Sequence, residues 1–485
     1  MPTEDQATHD VVVIGAGSTG ENVADYAHQG GLSVAIVEAD LVGGDCSYWA
    51  CMPSKALLRP PQAVSAARAL DGARQAVTGR LDVAAVLARR DSFTSRWDDA
   101  GQVAWVRGAG LELVRGTGRL AGERQVEVAG PGGSSRRLVA GAAVAVCTGS
   151  EPALPPVPGL AEARPWTTKD ATSAKAPPGR LAVLGGGVAG CEMASAWRAL
   201  GTREVTVVEQ EPRLLPGYEP EAGRRLAEAL AERGVAVRPG VRVERVSRDG
   251  GGGPVALQVS DGSPVEADEL LVATGRRPRT GDLGLEALGL PPGSWLEVDD
   301  SCLVRGVPGG WLYAAGDVNH RSLLTHMGKY QARACGDAIA ARARGEAAEP
   351  TAWGPHAATA DHRAVPQVVY TDPEVAAVGL TEAQAREQGL GVASVEYELG
   401  QVAGAALYAD GYSGWAKLVV DTGRETVVGA TFVGPGVAEL LHAATVAVVG
   451  EVPLQRLWHA VPAYPTVSEV WLRLLEAWRT ERWRG

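Results

Sequence analysis

Two stretches of the chain repeat one pattern, a strand, a glycine-rich turn, a helix and a second strand ending in an acid, and no other feature restricts the fold as much. The first begins DVVVIGAGSTG, with Gly15, Gly17 and Gly20 before a helical stretch, and its second strand, SVAIVEAD, ends near Glu38. Glycines at this spacing allow a tight turn beside a pyrophosphate, and an acid about 20 residues on binds ribose hydroxyls. Because the strand, the glycines, the helix, the second strand and the acid all occur at the required spacing, the sequence predicts a dinucleotide site rather than a glycine-rich turn without a ligand.

The second copy lies in RLAVLGGGVAGCEMASAWRALGTREVTVVEQ. Here Gly185, Gly187 and Gly190 precede the helix, and Glu209 ends the following strand. Two dinucleotide sites in one chain imply electron transfer between two cofactors. The Glu209 carboxylate would accept hydrogen bonds from ribose hydroxyls and repel a 2′-phosphate, which favours NADH, while the nearby Arg213 keeps NADPH possible.

Three further strands end in turns that can serve these sites. VAVCTGSEP carries Thr148 and Gly149, LLVATGRRP carries Gly275, and WLYAAGDVNH ends at Asp317. The two Thr-Gly turns bracket the second unit and are followed by prolines, so we expect the chain to pass between domains there. A carboxylate at Asp317 could bind a ribityl or ribose hydroxyl, although a bare Gly-Asp turn is the alternative.

Cys46 and Cys51 lie close together in GGDCSYWACMPSK. The chain has six cysteines, too few and too scattered for a secreted disulfide scaffold, so the close pair is expected to be catalytic or metal-binding. A zinc site needs four ligands, and no second Cys or His pair has ligand spacing. The predicted helix start at Pro53 to Lys55 would favour a thiolate at Cys51.

Composition limits the partners and the compartment. The net charge of −11 argues against a nucleic-acid or anionic-membrane surface, and no apolar run approaches the roughly 20 residues of a spanning helix. The first residues, MPTEDQATHD, lack the basic and apolar regions of a secretory signal. We therefore expect a cytoplasmic protein with small-molecule partners, no nucleic acid and no membrane.

From about residue 350 the pattern changes to alternating and β-branched runs such as WAKLVVD and TVVGATFVG. These runs, with apolar helical stretches around 436–450 and 467–482, predict an antiparallel sheet with helices, a separate α+β domain. The short glycine-rich piece RDGGGGP is expected to be a hairpin loop.

Together these motifs resemble the FAD-dependent pyridine nucleotide–disulfide oxidoreductases, the family of dihydrolipoamide dehydrogenase, glutathione reductase and mercuric reductase. The resemblance implies an α/β fold of two Rossmann-like domains, for FAD and NAD(P), with a C-terminal α+β domain that forms a homodimer. FAD would be held by the first unit with Glu38, Thr148, Gly149 and Asp317, and the nicotinamide cofactor by the second unit with Gly275. The implied domains are 1–157 (FAD, first part), 158–278 (NAD(P)), 279–348 (FAD, second part) and 349–485 (interface).

The resemblance also implies roles for the thiols. In such enzymes hydride from the nicotinamide reduces flavin and flavin reduces the Cys-x4-Cys disulfide. The Cys46-like thiol then attacks the acceptor, while the Cys51-like thiol faces the flavin. Lys55 would lie near the flavin, paired with Glu192; an ordinary surface ion pair is the alternative.

The chain departs from the family near its C-terminus. Members that reduce disulfides carry His-Pro-Thr followed by Glu, and that histidine, from the partner subunit, moves the proton of the attacking thiol. Here HAVPAYPTVSE keeps Glu469 but places Tyr464 at the position of the base. A tyrosine with a pKa near 10 can donate a proton but is a poor base at neutral pH. His459, five residues earlier, is expected to be a helix residue rather than a displaced catalyst.

The thiol motif departs as well, with Asp45, Tyr48 and Ala50 in place of the usual Thr, Asn and Gly. A carboxylate beside Cys46 would raise the pKa of that thiol and weaken it as a nucleophile. A tyrosine in place of the base is also similar to mercuric reductase, but that enzyme's terminal cysteine pair is missing, since no cysteine follows Cys335.

Three functions remain open at this point. The first is a dimeric FAD enzyme that uses NAD(P)H and the thiol pair to reduce a disulfide or another thiol-reactive acceptor, with dihydrolipoamide as the family default. The second is a reductase of quinones or metal ions that uses the flavin without the histidine base. The third is an FAD-binding component of a larger complex with little turnover.

Overall fold

A computed structural model of the chain describes residues 5–250 and 252–484. The backbone forms two compact units, each made of three segments. The first unit contains Met1–Pro53, Asp91–Ala153 and Gly275–His362, and the second contains Ser54–Arg90, Leu154–Thr274 and Arg363–Gly485. None of the helices in the described part of the chain is long and apolar enough to cross a membrane.

The strands are numbered in chain order. They are β1 (Asp5–Ile14), β2 (Val34–Glu38), β3 (Glu112–Arg115), β4 (Thr117–Gly122), β5 (Gln125–Ala129), β6 (Ser135–Val146), β7 (Ser150–Pro152), β8 (Arg180–Leu184), β9 (Glu204–Glu209), β10 (Val235–Pro239), β11 (Val243–Arg248), β12 (Val255–Val259), β13 (Val265–Ala267), β14 (Glu269–Val272), β15 (Arg276–Pro278), β16 (Leu312–Ala314), β17 (Pro366–Val369), β18 (Glu374–Gly379), β19 (Val392–Glu398), β20 (Trp415–Asp421) and β21 (Thr426–Gly434).

The α-helices are numbered in the same way. They are α1 (Ser18–Gln29), α2 (Gly44–Tyr48), α3 (Cys51–Arg68), α4 (Val83–Phe93), α5 (Ala100–Gly108), α6 (Thr168–Ser173), α7 (Val188–Ala199), α8 (Pro220–Glu232), α9 (Thr325–Ala343), α10 (Ala360–Arg363), α11 (Glu382–Glu387), α12 (Ala403–Tyr408), α13 (Leu441–Val449), α14 (Leu454–Leu457) and α15 (Val470–Arg484).

The first unit is built on a sheet with the order β3-β2-β1-β6-β5-β4, in which β16 also pairs with β6. The strands β3, β2, β1 and β6 are parallel, and the valines of β1 are buried on both faces of the sheet. A parallel strand covered on both sides must be apolar throughout, which explains the continuous run VVVI. Helix α1 packs on one face, where Val23, Ala24 and Ala27 join a core that includes Ile339 of α9.

The second unit contains a parallel sheet, β10-β9-β8-β14, a three-stranded sheet, β11-β12-β13, and a five-stranded antiparallel sheet, β17-β18-β21-β20-β19. Its core includes the fully buried Trp197 of α7. The prediction of two Rossmann-like sheets and a C-terminal antiparallel α+β domain is therefore confirmed.

Local details differ from the sequence-based expectations. Helices α13 and α15 start later than predicted because 3-10 turns at Val437–Leu440 and Val467–Glu469 precede them. His459 was expected in a helix but lies in an exposed turn after α14. The piece RDGGGGP joins the antiparallel strands β11 and β12 as a hairpin loop should, although Gly251 within it lies outside the described residues. The predicted domain boundaries stay predictions.

Glu21, in the first turn of α1, gives the first unit a pH-dependent stability. Burial raises the pKa of this carboxyl from 4.5 to about 7, with Lys329 partly offsetting the effect. Because the folded pKa lies above the unfolded one, the fold loses stability as pH rises from about 4.5 to about 7. We expect Glu21→Gln to remove this loss, on the order of 3–4 kcal/mol at about pH 8, since one pKa unit corresponds to ~1.4 kcal/mol.

Thermal midpoints of wild type and Glu21→Gln, compared at about pH 5 and about pH 8, measure the effect. The variant should gain stability over wild type only at the higher pH. Glu349→Gln, at an exposed position of the same unit, is the control and should show no such difference. An equal shift at both pH values would contradict the assignment to Glu21.

Candidate active site

The turn between β1 and α1 depends on two glycines for reasons of packing. Gly15 has φ +102°, and a Cβ there would stand 2.5 Å from the carbonyl oxygen of Cys147. A Cβ on Gly20 would stand 1.8 Å from the carbonyl oxygen of Gly15. Gly17 is different, because it has extended backbone angles at the start of α1 and its nearest neighbour for a Cβ is Gly44 Cα at 3.9 Å. The missing side chain of Gly17 leaves open space in front of the helix.

The turn between β8 and α7 repeats this geometry. Gly185 has φ +108°, and a Cβ there would stand 2.5 Å from the carbonyl oxygen of Ala273. A Cβ on Gly190 would stand 2.0 Å from the carbonyl oxygen of Gly185, and Gly187, which precedes α7, has nothing within 4 Å. Both helix N-termini thus face free space with backbone N–H groups, the arrangement that binds phosphate.

The two predicted ribose-binding acids are held in the same way. Glu38 accepts hydrogen bonds from the backbone N–H of Ala16 at 2.6 Å and of Asp40 at 2.7 Å. Glu209 accepts from Gly186 at 2.5 Å and Glu211 at 2.8 Å. Burial raises the pKa of Glu38, while the two backbone bonds act against that rise. Each carboxylate is thereby fixed beside its glycine turn.

A cavity of about 630 Å³ lies in the first unit and is lined by the residues predicted to hold FAD other than Gly20, which packs inside the turn. The lining includes Gly15, Gly17, Glu38, Thr148, Gly149, Asp317 and also Cys46. The Thr148 hydroxyl is buried without a hydrogen-bond partner among the described residues, so it is available to a ligand. The cavity, the open helix N-terminus and this hydroxyl fit a bound FAD.

The residues predicted for the nicotinamide cofactor divide between the units. Gly185, Gly187, Gly190 and Glu209 lie in the second unit, whereas Gly275 belongs to the first. Gly275 has φ +143°, and a Cβ there would have no neighbouring atom within 4 Å.

Polar contacts that the sequence did not predict link the thiol segment to Asp317. The Ser150 hydroxyl donates to Asp317 Oδ2 at 2.5 Å and accepts from Arg276 Nε at 2.5 Å. The Arg276 guanidinium also donates to Asp45 at 3.2 Å, and Arg279 lies 3.3 Å from the same carboxylate. The sequence signal was the group of arginines in ATGRRPRT, to which Arg276 and Arg279 belong and whose targets could not be read from the motif.

The two thiols lie in neighbouring helices. Cys46 lies in α2 and Cys51 is the first residue of α3, with its Sγ 3.3 Å from Thr325 Oγ1. The pKa of the Cys46 thiol is raised, first by its hydrogen bond to Cys51 and then by burial. The predicted direction is right but the predicted cause is wrong, because the Asp45 carboxylate is bound by Arg276 and Arg279. No group of His, Cys, Asp and Glu in the described ranges could hold a metal ion.

The predicted pairing of Lys55 with Glu192 is present in the second unit. Lys55 Nζ lies 2.7 Å from Glu192 Oε2, and the other carboxylate oxygen accepts from the backbone N–H of Tyr370 at 3.0 Å. The Glu192 side chain is only 4% exposed, so this is not an ordinary surface ion pair. The ammonium of Lys55 also lies 5.0 Å from the centroid of the Tyr370 ring.

The C-terminal segment holds Tyr464 and Glu469 in different surroundings. Tyr464 is 77% exposed, whereas Glu469 is buried and accepts from the backbone N–H of Gly404 at 3.3 Å. A Cβ on Gly404 would stand 2.0 Å from the carbonyl carbon of Thr466, so the segment packs tightly on α12. The segment around the exposed tyrosine is therefore anchored by its neighbours.

A flavin cavity beside a dithiol, together with a second dinucleotide turn, defines a nicotinamide-dependent flavoprotein reductase. Comparison with known families agrees. Residues 9–336 match the pyridine nucleotide-disulphide oxidoreductase family, and residues 365–474 match its dimerisation domain. The chain belongs to this family, and it is an FAD-dependent oxidoreductase that uses NAD(P)H.

Similar proteins have several activities. The chain is 35% identical to dihydrolipoyl dehydrogenase 3 of Pseudomonas aeruginosa, over 95% of this chain and 96% of that protein. It is 32% identical to mercuric reductase of Staphylococcus aureus, over 95% of this chain and 81% of that protein. Among solved structures, LpdA from Mycobacterium tuberculosis is 26% identical with a TM-score of 0.80, covering 98% of this chain and 99% of LpdA.

The fold is also that of the flavoprotein disulfide reductase RclA from Escherichia coli. Its copper(II) complex has a TM-score of 0.81 at 23% identity, covering 97% of this chain and 99% of that chain.

Gly17 and Gly187, which both have open space around them, allow a matched pair of substitutions. Alanine at Gly17 or Gly187 meets no protein atom at close range and needs no unusual backbone angle, so both variants should fold. The added methyl group would occupy the space in front of α1 or α7. We expect Gly17→Ala to weaken FAD binding at least about tenfold, the effect of ~1.4 kcal/mol, and Gly187→Ala to keep FAD and raise the KM for NADH.

Fluorescence titration of apoprotein with FAD and steady-state kinetics with NADH measure the two effects. Each variant is the control for the other, since the geometry of the two turns is the same. Loss of FAD binding in Gly187→Ala, or normal FAD binding in Gly17→Ala, would contradict the assignment of the two sites.

Proposed function

We propose that this protein is a homodimeric, NADH-dependent FAD enzyme that transfers electrons through the Cys46–Cys51 pair to a disulfide or another thiol-reactive acceptor. One observation carries the proposal: Cys46 lines the same cavity as Gly17, Glu38 and Asp317. The Cys46 thiol would then share a cavity with FAD, and FAD would be its source of electrons. The dimerisation domain at residues 365–474 supports the homodimer.

The chain's own residues divide the work as follows. Gly15, Gly17 and Gly20 shape the turn for the pyrophosphate, Glu38 binds ribose hydroxyls, and Thr148, Gly149 and Asp317 bind the remainder of FAD. Bound FAD supplies two-electron transfer between the nicotinamide and the thiols. Cys51, at the N-terminus of α3, is the thiol that faces FAD, and Cys46 is the thiol that attacks the acceptor.

NADH rather than NADPH is the proposed electron donor, held by Gly185, Gly187, Gly190 and Glu209 with Gly275. A buried carboxylate at Glu209 would repel a 2′-phosphate. Arg213, which could have accepted that phosphate, donates instead to the backbone carbonyls of Pro216 at 2.7 Å and Tyr218 at 3.3 Å. Both contacts use the same nitrogen, Nη2, so the preference for NADH rests on the carboxylate of Glu209.

Lys55 and Glu192 are proposed as a positioning pair. Lys55 follows Cys51 by four residues on α3, which is one helical turn. The carboxylate of Glu192 fixes the ammonium, and the backbone of Tyr370 fixes the carboxylate. The pair therefore holds a positive charge at a defined place near the start of the thiol-bearing helix.

Tyr464 favours a second candidate for the acceptor. In the family this position faces the attacking thiol of the second subunit, and Glu469 follows it. A tyrosine there can donate a proton but accepts one poorly at neutral pH. Acceptors that need no proton at a departing thiol, such as quinones or thiol-binding metal ions, would suit it, and mercuric reductase is among the similar proteins. Dihydrolipoyl substrates remain the disulfide candidate, supported by dihydrolipoyl dehydrogenase relatives.

Anaerobic titration with NADH tests the electron path. Two electrons per subunit should produce the long-wavelength absorbance of a thiolate beside oxidised flavin, and Cys51→Ser should abolish it. Cys46→Ser should retain the absorbance but lose reduction of disulfides. If neither substitution changes disulfide reduction, the thiols are outside the path and the proposal fails.

Substitution of Tyr464 tests the choice of acceptor. We expect Tyr464→His to raise turnover with small disulfides, because an imidazole exchanges protons near neutral pH and such help is typically worth ~100- to 10,000-fold. Turnover with quinones should stay nearly constant, so the quinone assay is the control. If Tyr464→Phe instead abolishes an ordinary rate of disulfide reduction, the tyrosine is itself the working proton donor.

A further inference from the structure

The turn after β16, which carries Asp317, is bound on its buried side by a glutamine of α9. We call residues 316–319 the Asp317 turn. The Gln331 side chain is fully buried, and its Oε1 accepts hydrogen bonds from the backbone N–H of Gly316 and from Asn319 Nδ2, both at 2.8 Å. A buried N–H such as that of Gly316 would be costly without an acceptor. Gln331 thus fixes the turn at two points.

The other end of the Gln331 amide is bound by a buried carboxylate. Gln331 Nε2 donates to Asp361 Oδ2 at 2.9 Å, and the Asp361 side chain, in α10, is 0% exposed. A carboxylate only accepts hydrogen bonds, whereas the backbone N–H of Gly316 only donates. These two groups therefore fix the orientation of the amide, with its oxygen toward the Asp317 turn and its nitrogen toward Asp361.

Stability alone does not explain a carboxylate at this position. Burial raises the pKa of Asp361 to about 6, and Arg321, whose Nε lies 3.6 Å from Asp361 Oδ2, acts against the rise. Arg321 also pairs with Asp300, which lies 2.8 Å from His362. The second carboxylate oxygen of Asp361 has no hydrogen-bond partner among the described residues. A buried charge with incomplete partners costs stability, so its use is to be found in the amide that it orients.

The opposite side of the Asp317 turn faces the cavity that fits FAD. Asp317 lines this cavity, and its Oδ2 accepts from the Ser150 hydroxyl at 2.5 Å. The turn also packs on the first turn of α1, because a Cβ on Gly316 would stand 2.7 Å from Thr19 Oγ1. A shift of the turn would therefore move the Asp317 carboxylate relative to the helix N-terminus that faces the same cavity.

We propose that Gln331 and Asp361 are positioning residues that hold the Asp317 turn, and with it the Asp317 carboxylate, in the place where it binds FAD. Neither Gln331 nor Asp361 lines the cavity, so both act through the turn. The inference rests on the proposed role of Asp317 in FAD binding. The hydrogen bond between the two side chains, rather than either side chain alone, then determines how tightly FAD is held.

An exchange of the acid and the amide tests this hydrogen bond. Gln331→Glu keeps an acceptor for Gly316 but leaves two carboxyls without a donor between them, and Asp361→Asn added to it restores a donor and the original net charge. The measurement is the rate at which FAD leaves the diluted holoenzyme, followed by flavin fluorescence. We expect Gln331→Glu to release FAD at least about tenfold faster than wild type at about pH 8, and the double variant to return to within about threefold of wild type.

The effect of Gln331→Glu should shrink as the pH is lowered from about 8 to about 6. One proton shared between the two carboxyls supplies the missing donor, and a single proton changes the ratio of release rates by at most ~10-fold per pH unit. Gln29→Glu is the matched control, because Gln29 Nε2 donates to Asp25 Oδ2 at 2.8 Å at an exposed site of the same unit. This control should release FAD at the wild-type rate at each pH.

Two results would overturn the proposal: equal release by Gln331→Glu and wild type at about pH 8, or a double variant that releases FAD as fast as Gln331→Glu. If Gln331→Glu alone does not fold, the double variant still decides, since release at the wild-type rate supports the pair and fast release refutes it. Asp317→Ala separates this inference from its basis. If that variant releases FAD at the wild-type rate, it is the proposed role of Asp317 that fails.

Discussion

The close approach of backbone to backbone at two glycine turns is the constraint on which the rest of the structure depends. In each nucleotide unit the chain must leave a buried parallel strand and start a helix beside the carbonyl of a neighbouring strand. A Cβ on Gly15 would stand 2.5 Å from the carbonyl oxygen of Cys147, and a Cβ on Gly185 would stand 2.5 Å from the carbonyl oxygen of Ala273. Any side chain there would push the helix away from the sheet. The turns therefore fix where α1 and α7 point their N-termini.

The same turn geometry serves two different ligands because the surroundings differ. Around the first turn, Thr148 offers an unpartnered buried hydroxyl, and Asp317 is held by Ser150 at the edge of the cavity. Around the second turn, Glu209 is fixed by backbone N–H groups, and Nη2 of Arg213 donates to two backbone carbonyls. In the proposed assignment, the shared part would bind a pyrophosphate, whereas the residues brought in from other strands would decide which cofactor is bound.

The sequence predicts those features whose signals lie close together in the chain, and it misses those that depend on residues far apart. The glycine turns, their acids and the alternating C-terminal strands were predicted because their signals lie within one βαβ unit or one strand. The partners of Asp45 were not predicted because Arg276 and Arg279 lie some 230 residues away in the chain. The left-handed backbone of Ser95, Arg96 and Trp97 gave no signal, since this stretch contains neither glycine nor asparagine.

The departures from the family cluster on the acceptor side of the proposed electron path. The turns, acids and the Lys55–Glu192 pair that serve the two cofactors are all retained. By contrast, Asp45, beside the thiol proposed to attack the acceptor, is tied to arginines, and Tyr464 lies where the resemblance leads one to expect a histidine base. On the proposed path, changes in how Cys46 is placed and how protons reach it would leave hydride transfer to FAD unaffected. On the proposed electron path, the surroundings of Cys46 are therefore where we expect the choice of acceptor to be decided.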